Sequence, residues 1–335
     1  MTFMNDSPPR PPSLLHSIFL WFTPTDQQET GPEELTNKVD WVRAIPFIGM
    51  HLACLAVFFV GWSWPAVAVA VFLYALRVFT LTGFYHRYFS HRTFKTSRIV
   101  QFVFAIIGCS AVQRGPLWWA AHHRNHHVHS DDPEDLHSPR QFGLLFAHFG
   151  WFLTPKAFKT NFKVIPDFAK YPELRFLDRY DLVVPVALAA LCFGFGELVA
   201  WMEPALEVTG MQMLIWGFFI STIATYHVTY LVNSAAHVLG SRRYETKDDS
   251  RNNWLVALLT FGEGWHNNHH HYPNSTRQGF YWWEVDLTYY ALTFMSVFGL
   301  VWDLKGVPHR VLDPKKKPAA EPVPIEATPA TAQGL

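Results

Sequence analysis

Four runs of the chain approach the ~20 apolar residues needed to cross a hydrocarbon core of about 30 Å: 44–62, 65–85, 182–202 and 212–232. No other feature restricts the fold as strongly, because a segment in lipid must satisfy its backbone polar groups internally, which a helix does. The expectation is an all-α integral membrane protein with four transmembrane helices. The links GWSW and EPALEVTG carry no Lys or Arg and join the runs into two hairpins. Nearly all basic residues lie before the first run, between the second and third, or after the fourth. By the positive-inside rule those regions and both termini are cytoplasmic.

This divides the chain into a cytosolic N-terminal segment (1–38), a membrane domain (39–313) and a disordered tail (314–335) rich in Pro, Ala and charge. Within the membrane domain, 86–181 and 233–313 form a helical cytosolic cap. The N-terminus is proline-rich and lacks the basic start of a secretory signal. Arg77 lies inside the second run and must face protein or snorkel, since a charge at mid-bilayer costs at least ~2.5 kcal/mol. The apolar stretch 99–112 is too short to span and reads as an interfacial or buried helix. The aromatic segment FYWWEVDLTYYALTFMSVFGLVW lies along the interface or packs on the cap.

Half of the 335 residues are hydrophobic, and 27 basic residues balance 27 acidic ones, so no nucleic-acid footprint exists. Cys54, Cys109 and Cys192 sit in apolar stretches without a CxxC pair and read as packing residues. Imidazole is the distinctive resource. HRYFSH holds His86 and His91, HRNHH holds His123, His126 and His127, and HNNHH holds His266, His269 and His270. The topology places all three clusters on one side of the membrane.

In the last two clusters histidines recur at i, i+3 and i+4, which projects them from one helical face toward a common point. The i, i+5 pair of HRYFSH is rotated by roughly 140° on a regular helix, so that helix must end or bend near Ser90. The fourth run continues into Asn233 and His237, which adds a ninth histidine. Nine imidazoles exceed what one ion takes, so two metals are expected; imidazole alone does not choose among iron, copper, zinc and nickel.

The ordered set HRYFSH, HRNHH, NSAAH and GEGWHNNHH, with its four spans, resembles the integral-membrane fatty acyl desaturases of the stearoyl-CoA desaturase type over roughly 39–290. The resemblance implies two Fe2+ ions under the cap, O2 as co-substrate, and an acyl chain threaded through a tunnel. Carried over by motif, the ligands are His86, His91, His123, His126, His127, His237, His266, His269 and His270. Asn233 matches the position that holds a metal-bound water. Glu263 is expected to orient an imidazole. The implied activity is insertion of a cis double bond, at the delta-9 position, into a saturated acyl-CoA. The chain has no HPGG haem motif, so electrons are expected from a separate ferredoxin, rubredoxin or cytochrome b5 type protein fed by an NAD(P)H-dependent reductase. The expected location is a bacterial inner membrane, among membrane lipids.

Ala121 and His122 replace the Arg-Asp pair of animal acyl-CoA enzymes, and RQGFYWWEVDLTYY is more like bacterial and plant members, some of which act on acyl-lipids. Other readings are a di-iron hydroxylase of alkanes or fatty acids, a metal transporter, and a soluble carboxylate di-iron bundle built on Glu134-His137 and Glu263-His266. His16, His51 and His309 read as surface or packing histidines, and His137 and His148 as packing or hydrogen-bonding groups. His122, His129 and His271 adjoin the motifs. His227 is either functional or bonded to a neighbouring helix. Trp118, Trp119, Trp265, Trp282 and Trp283 are taken first as interfacial anchors, with tunnel lining as the second reading.

Overall fold

The computed structural model describes residues 37–312. The expectations for the N-terminal segment up to residue 36, including His16, and for the tail 314–335 lie outside those residues. Four helices are long and apolar enough to cross a membrane: Trp41–Val60, Trp64–Ser90, Val183–Met202 and Gly210–His237. Each of three starts is fixed by a side chain that accepts orphaned N–H groups. Asp40 caps the first span, Ser63 the second and Thr209 the fourth.

The spans are not equivalent. In the second and fourth, 44% of the apolar window is buried, against 11% and 17% in the first and third. The inner pair forms the centre of the membrane region, and the outer pair presents Phe58, Phe59, Val186 and Leu191 outward as an apolar belt. Exposed Trp62, Trp64 and Trp201 lie near the hairpin turns, where aromatic rings suit the membrane interface. Gln212 ties the two turns together by accepting from Ser63 Oγ at 2.6 Å and donating to the Val60 carbonyl at 3.0 Å.

Both inner spans run past their expected ends. The second continues five residues beyond 85 to Ser90, and the fourth five beyond 232 to His237. These extensions are polar, so hydropathy alone ends each run too early. Each inner span also contains a π-helical stretch, Leu81–Ser90 and Leu214–Ile220.

Arg77 is fully buried between the inner spans and the cap. Its guanidinium donates to the carbonyls of Leu73, Ser110 and Gly217 and to the hydroxyls of Thr222 and Ser221. It therefore faces protein and crosslinks both inner spans to the cap. The stretch after it matches expectation: α1, Arg98–Cys109, buries Gln101, Ala105, Gly108 and Cys109 and exposes Ile99 and Val103. Cys192 is buried as well, and all three cysteines are free.

The cap adds α2 (Pro116–His129), α3 (Trp254–Leu259), α4 (His266–His271) and α5 (Leu287–Val297). Its main core joins Phe84, Tyr85 and Phe89 of the second span to Ala105 of α1, Leu117 of α2 and Leu292 of α5. Phe84 stacks on Phe104 with ring centroids 3.9 Å apart. The exception to an all-α fold is a two-stranded antiparallel ribbon, β1 (Lys95–Thr96) against β2 (Val301–Trp302). In α5 the cap-packing reading of the aromatic segment holds: Thr288 and Leu292 are buried, while Phe294 and Val297 are exposed.

Removing the Arg77 crosslink should loosen the membrane region first. Arg77→Ala is expected to destabilise the detergent-solubilised protein by about 2–5 kcal/mol, since it opens a cavity and strands buried acceptors. The exposed Lys156→Ala should stay within about 0.5 kcal/mol. Thermal unfolding followed by intrinsic Trp fluorescence checks both.

Candidate metal centre

The site is built where the inner spans leave the membrane region. In the second span the π-helical hydrogen bond from His91 N–H to the His86 carbonyl, at 3.2 Å, sets residue i+5 above residue i. The helix ends at Ser90, as expected. His86 and His91 nonetheless come to one side, with ring centroids 4.9 Å apart. A regular helix keeps them apart, and the π geometry removes that obstacle.

The nine histidines expected as ligands fall into two groups whose ligating nitrogens lie within 4.8 Å of one another. One holds His86, His91, His123, His127 and His269; the other holds His126, His237, His266 and His270. Neither three-histidine cluster converges on a common point, which corrects the expectation from sequence. In α2, His123 and His127 go to the first group and His126 to the second. In α4, His266 and His270 go to the second and His269 to the first.

Helical geometry explains the exchange. Relative to residue i, position i+3 lies roughly 60° to one side and i+4 roughly 40° to the other, at 100° per residue. The i, i+4 rings are accordingly close, 4.6 Å for His123 and His127 and 4.3 Å for His266 and His270. The i, i+3 rings are 6.1 Å apart in both helices. Two helices facing each other thus trade one imidazole each.

Ring nitrogens converge within each group. His269 Nε2 lies 3.0 Å from His86 Nε2 and 2.9 Å from His127 Nε2, and His91 Nε2 lies 2.8 Å from His123 Nε2. In the other group His237 Nε2 is 3.1 Å from His266 Nε2. Burial lowers the pKa of His91, His123, His127, His266 and His269 well below 6.5, and the neighbouring imidazoles push the same way. His270 is pushed down to about 4, chiefly by burial. Neutral imidazoles with facing lone pairs repel unless a cation lies between them, so the donor set fits metal binding.

Four carboxylates set the rings. Asp135 Oδ2 is 3.0 Å from His126 Nδ1, Asp131 Oδ2 is 3.0 Å from His237 Nδ1, and Asp248 Oδ2 is 2.7 Å from His270 Nδ1. Glu263 Oε2 meets His86 Nδ1. Each such contact engages Nδ1 and leaves Nε2 free to face a metal. Burial alone would raise these carboxyl pKa values. The facing histidines outweigh it and hold Asp131, Asp135 and Asp248 well below the usual range. Glu263 is lowered as well, against its burial, by His86 and Arg87.

Glu263 thus meets an imidazole, but one in the second span rather than its own cluster. It is itself held by Arg87 (3.1 Å) and Gln278 (2.9 Å), and Arg87 is shared with Asp286 (2.9 Å). Gly262 permits this packing: its φ is +130°, and a Cβ there would stand 2.5 Å from Asp286 Oδ1. Asp131, Asp135 and Asp248 were not singled out from sequence. Their signal is two acidic runs, SDDPED after the α2 histidines and KDDS before α3.

The remaining candidates separate cleanly. Asn233 lines a cavity of about 650 Å³ together with His86, His123, His126, His266 and Glu263. Its apolar wall includes Met50, Ala189, Phe218, Phe219 and Tyr226 of the spans. Trp118 and Trp119 line it too, so their tunnel reading holds. Trp282 and Trp283 are exposed, and Trp265 donates to the Val285 carbonyl. His122 lines the cavity outside both histidine groups, and His271 stacks on Tyr244.

His137 joins a smaller cluster with His126 and Asp135. His227 is bonded to His51 on the first span and to His148, each at 3.0 Å. Glu134 is exposed and belongs to none of the clustered groups, which removes the soluble-bundle reading.

The sequence profile described as "Fatty acid desaturase" matches residues 62–299. The chain belongs to the fatty acid desaturase family. It is 36% identical to the sn-1 stearoyl-lipid 9-desaturase of Anabaena variabilis over 80% of this chain and 94% of that protein. Delta-9 acyl-lipid desaturase 1 of Arabidopsis thaliana is 35% identical, covering 82% and 86% of the two chains. An acyl-CoA 5-desaturase of Anemone leveillei is 36% identical, covering 83% and 86%.

In this desaturase the three aspartates should matter almost as much as the imidazoles they hold. Asp135→Asn, Asp131→Asn and Asp248→Asn are each expected to weaken metal retention roughly 10–100-fold. Glu134→Gln should leave it unchanged. Metal per chain after dialysis, measured by inductively coupled plasma mass spectrometry, checks the set.

Proposed function

We propose that this desaturase inserts a cis double bond at the delta-9 position of a saturated fatty acyl chain, using two iron ions held by the two histidine groups. The observation that carries the reading is the apolar cavity that ends on histidines of both groups. In this reading His86, His91, His123, His127 and His269 hold one iron, and His126, His237, His266 and His270 hold the other, with Asn233 holding a water on a metal. With iron bound, the centre supplies an oxidative dehydrogenation in which O2, two external electrons, two protons and two methylene hydrogens become two waters and an alkene.

The protein's own part is placement. An unactivated chain offers no polar handle, so the position of a carbon pair is set by the shape of the cavity. The cavity walls formed by the spans exclude water from the reacting carbons. Trp118, Trp119 and Tyr226 contribute bulk that restricts the path of the chain. The carboxylate contacts fix the imidazole rings while the substrate enters and leaves.

The acyl-CoA carrier implied by the family resemblance is shared by relatives named for position 5. The relatives named for position 9 act on acyl-lipids, and this favours an acyl-lipid as the second reading. We further place the cap, both histidine groups and both termini on the cytoplasmic side of a bacterial inner membrane. Electrons come from a separate ferredoxin, rubredoxin or cytochrome b5 type carrier with its NAD(P)H-dependent reductase.

Expression in an aerobic host without its own aerobic desaturase tests the activity. A new monounsaturated acid should appear with the wild type and be absent with an equally abundant His126→Ala protein, read by gas chromatography with mass spectrometry. Purified protein given stearoyl-CoA or a stearoyl-lipid then distinguishes the carriers. Hydroxy acids in place of the alkene would sink the desaturase reading.

A further inference from the structure

A second cavity of about 650 Å³ opens on the cap and shares no lining residue with the apolar one. Its wall includes His91, which is partly exposed and faces His123 Nε2 at 2.8 Å. The His91 ring also lies 4.5 Å from His127 and 4.6 Å from His269. Arg92, Lys95, Lys170 and Lys305, all exposed, line the same opening. Its two carboxylates are already engaged: Asp167 accepts from Arg124 at 2.8 and 2.9 Å, and Asp303 pairs with Lys95 at 2.8 Å. The cleft therefore presents net positive charge and leads to one side of the five-histidine group.

We infer that this cleft docks an acidic one-electron carrier protein and that His91 is where its electron enters. The inference rests on the proposed desaturation, which needs two electrons from outside the chain. During turnover the acyl chain fills the apolar cavity, so the donor requires a different approach. The cationic cleft supplies one, and complementary charge both steers encounter and fixes register. Anionic lipid headgroups would meet the rim cations equally well, but they give no reason for an opening that reaches His91 of the five-histidine group.

The test uses the full iron-loaded chain in phosphatidylcholine nanodiscs with reduced plant-type [2Fe–2S] ferredoxin as the acidic probe. Lys170→Glu/Lys305→Glu should lower ferredoxin affinity, and the rate of its oxidation, roughly tenfold or more. It should also lose the steep fall with salt shown by the wild type. Lys156→Glu reverses one charge elsewhere on the cap and should behave as wild type.

Equal ferredoxin binding and salt dependence in wild type and double variant would overturn the docking. So would a defect that appears only when phosphatidylglycerol is added to the nanodiscs, which would assign the cleft to lipid. Failure of the wild type to make any alkene with dithionite as reductant sinks the desaturase reading instead. Ferredoxin binding still reports on the cleft in that case.

Discussion

Nine imidazoles must be turned the right way and held a few ångströms apart, and the rest of the architecture follows from that demand. Converging lone pairs repel until a cation separates them, so flexible side chains would simply swing away. The protein resists this with anions placed on the far side of the rings. Asp131, Asp135, Asp248 and Glu263 engage Nδ1 of four of them. Those anions need partners of their own: Ser138 and the Asp249 N–H serve Asp131, and Arg87 and Gln278 serve Glu263. Burying these carboxylates is acceptable because each has donors of its own.

Rigidity comes from the inner spans, which act as struts from the membrane region into the cap. The second carries His86 and Arg87 on its π-helical end, and the fourth carries Asn233 and His237. Arg77 binds both struts together at the level where they meet α1. A buried guanidinium with hydroxyl and carbonyl partners is tolerable there, since its alternative is lipid. Displacement of either strut would shift ligands of both groups.

Much of this was legible in the sequence, and the rest was hidden for identifiable reasons. Hydropathy located the four spans, because each must exceed the same hydrocarbon thickness. It ended the inner two five residues early, because His86 and His237 ride on polar turns that no hydropathy window includes. Motif spacing found all nine histidines, but helical periodicity read within one segment could not show that α2 and α4 exchange imidazoles. That division depends on a partner helix far away in the chain. The π turn at His86–His91 is a backbone choice with no compositional mark. The aspartates escaped because an acidic run in a polar loop looks like solvated surface until the fold brings it under a ring.

The two histidine groups are therefore not chemically alike. Three of the four rings in the smaller group rest on an aspartate, whereas Glu263 is the carboxylate on the larger group and it shares its charge with Arg87. A carboxylate behind an imidazole makes that ring a stronger donor to a metal, so the four-histidine position is the more electron-rich per ligand. The cavities repeat the inequality. The apolar cavity touches His86 and His123 of one group and His126 and His266 of the other, while the cationic cleft reaches only His91. An acyl chain can meet both positions at once, whereas a protein docked as proposed at the cationic cleft would meet only the five-histidine one. Two cavities with no lining residue in common would let the acyl chain and the proposed carrier serve one centre without competing for the same opening.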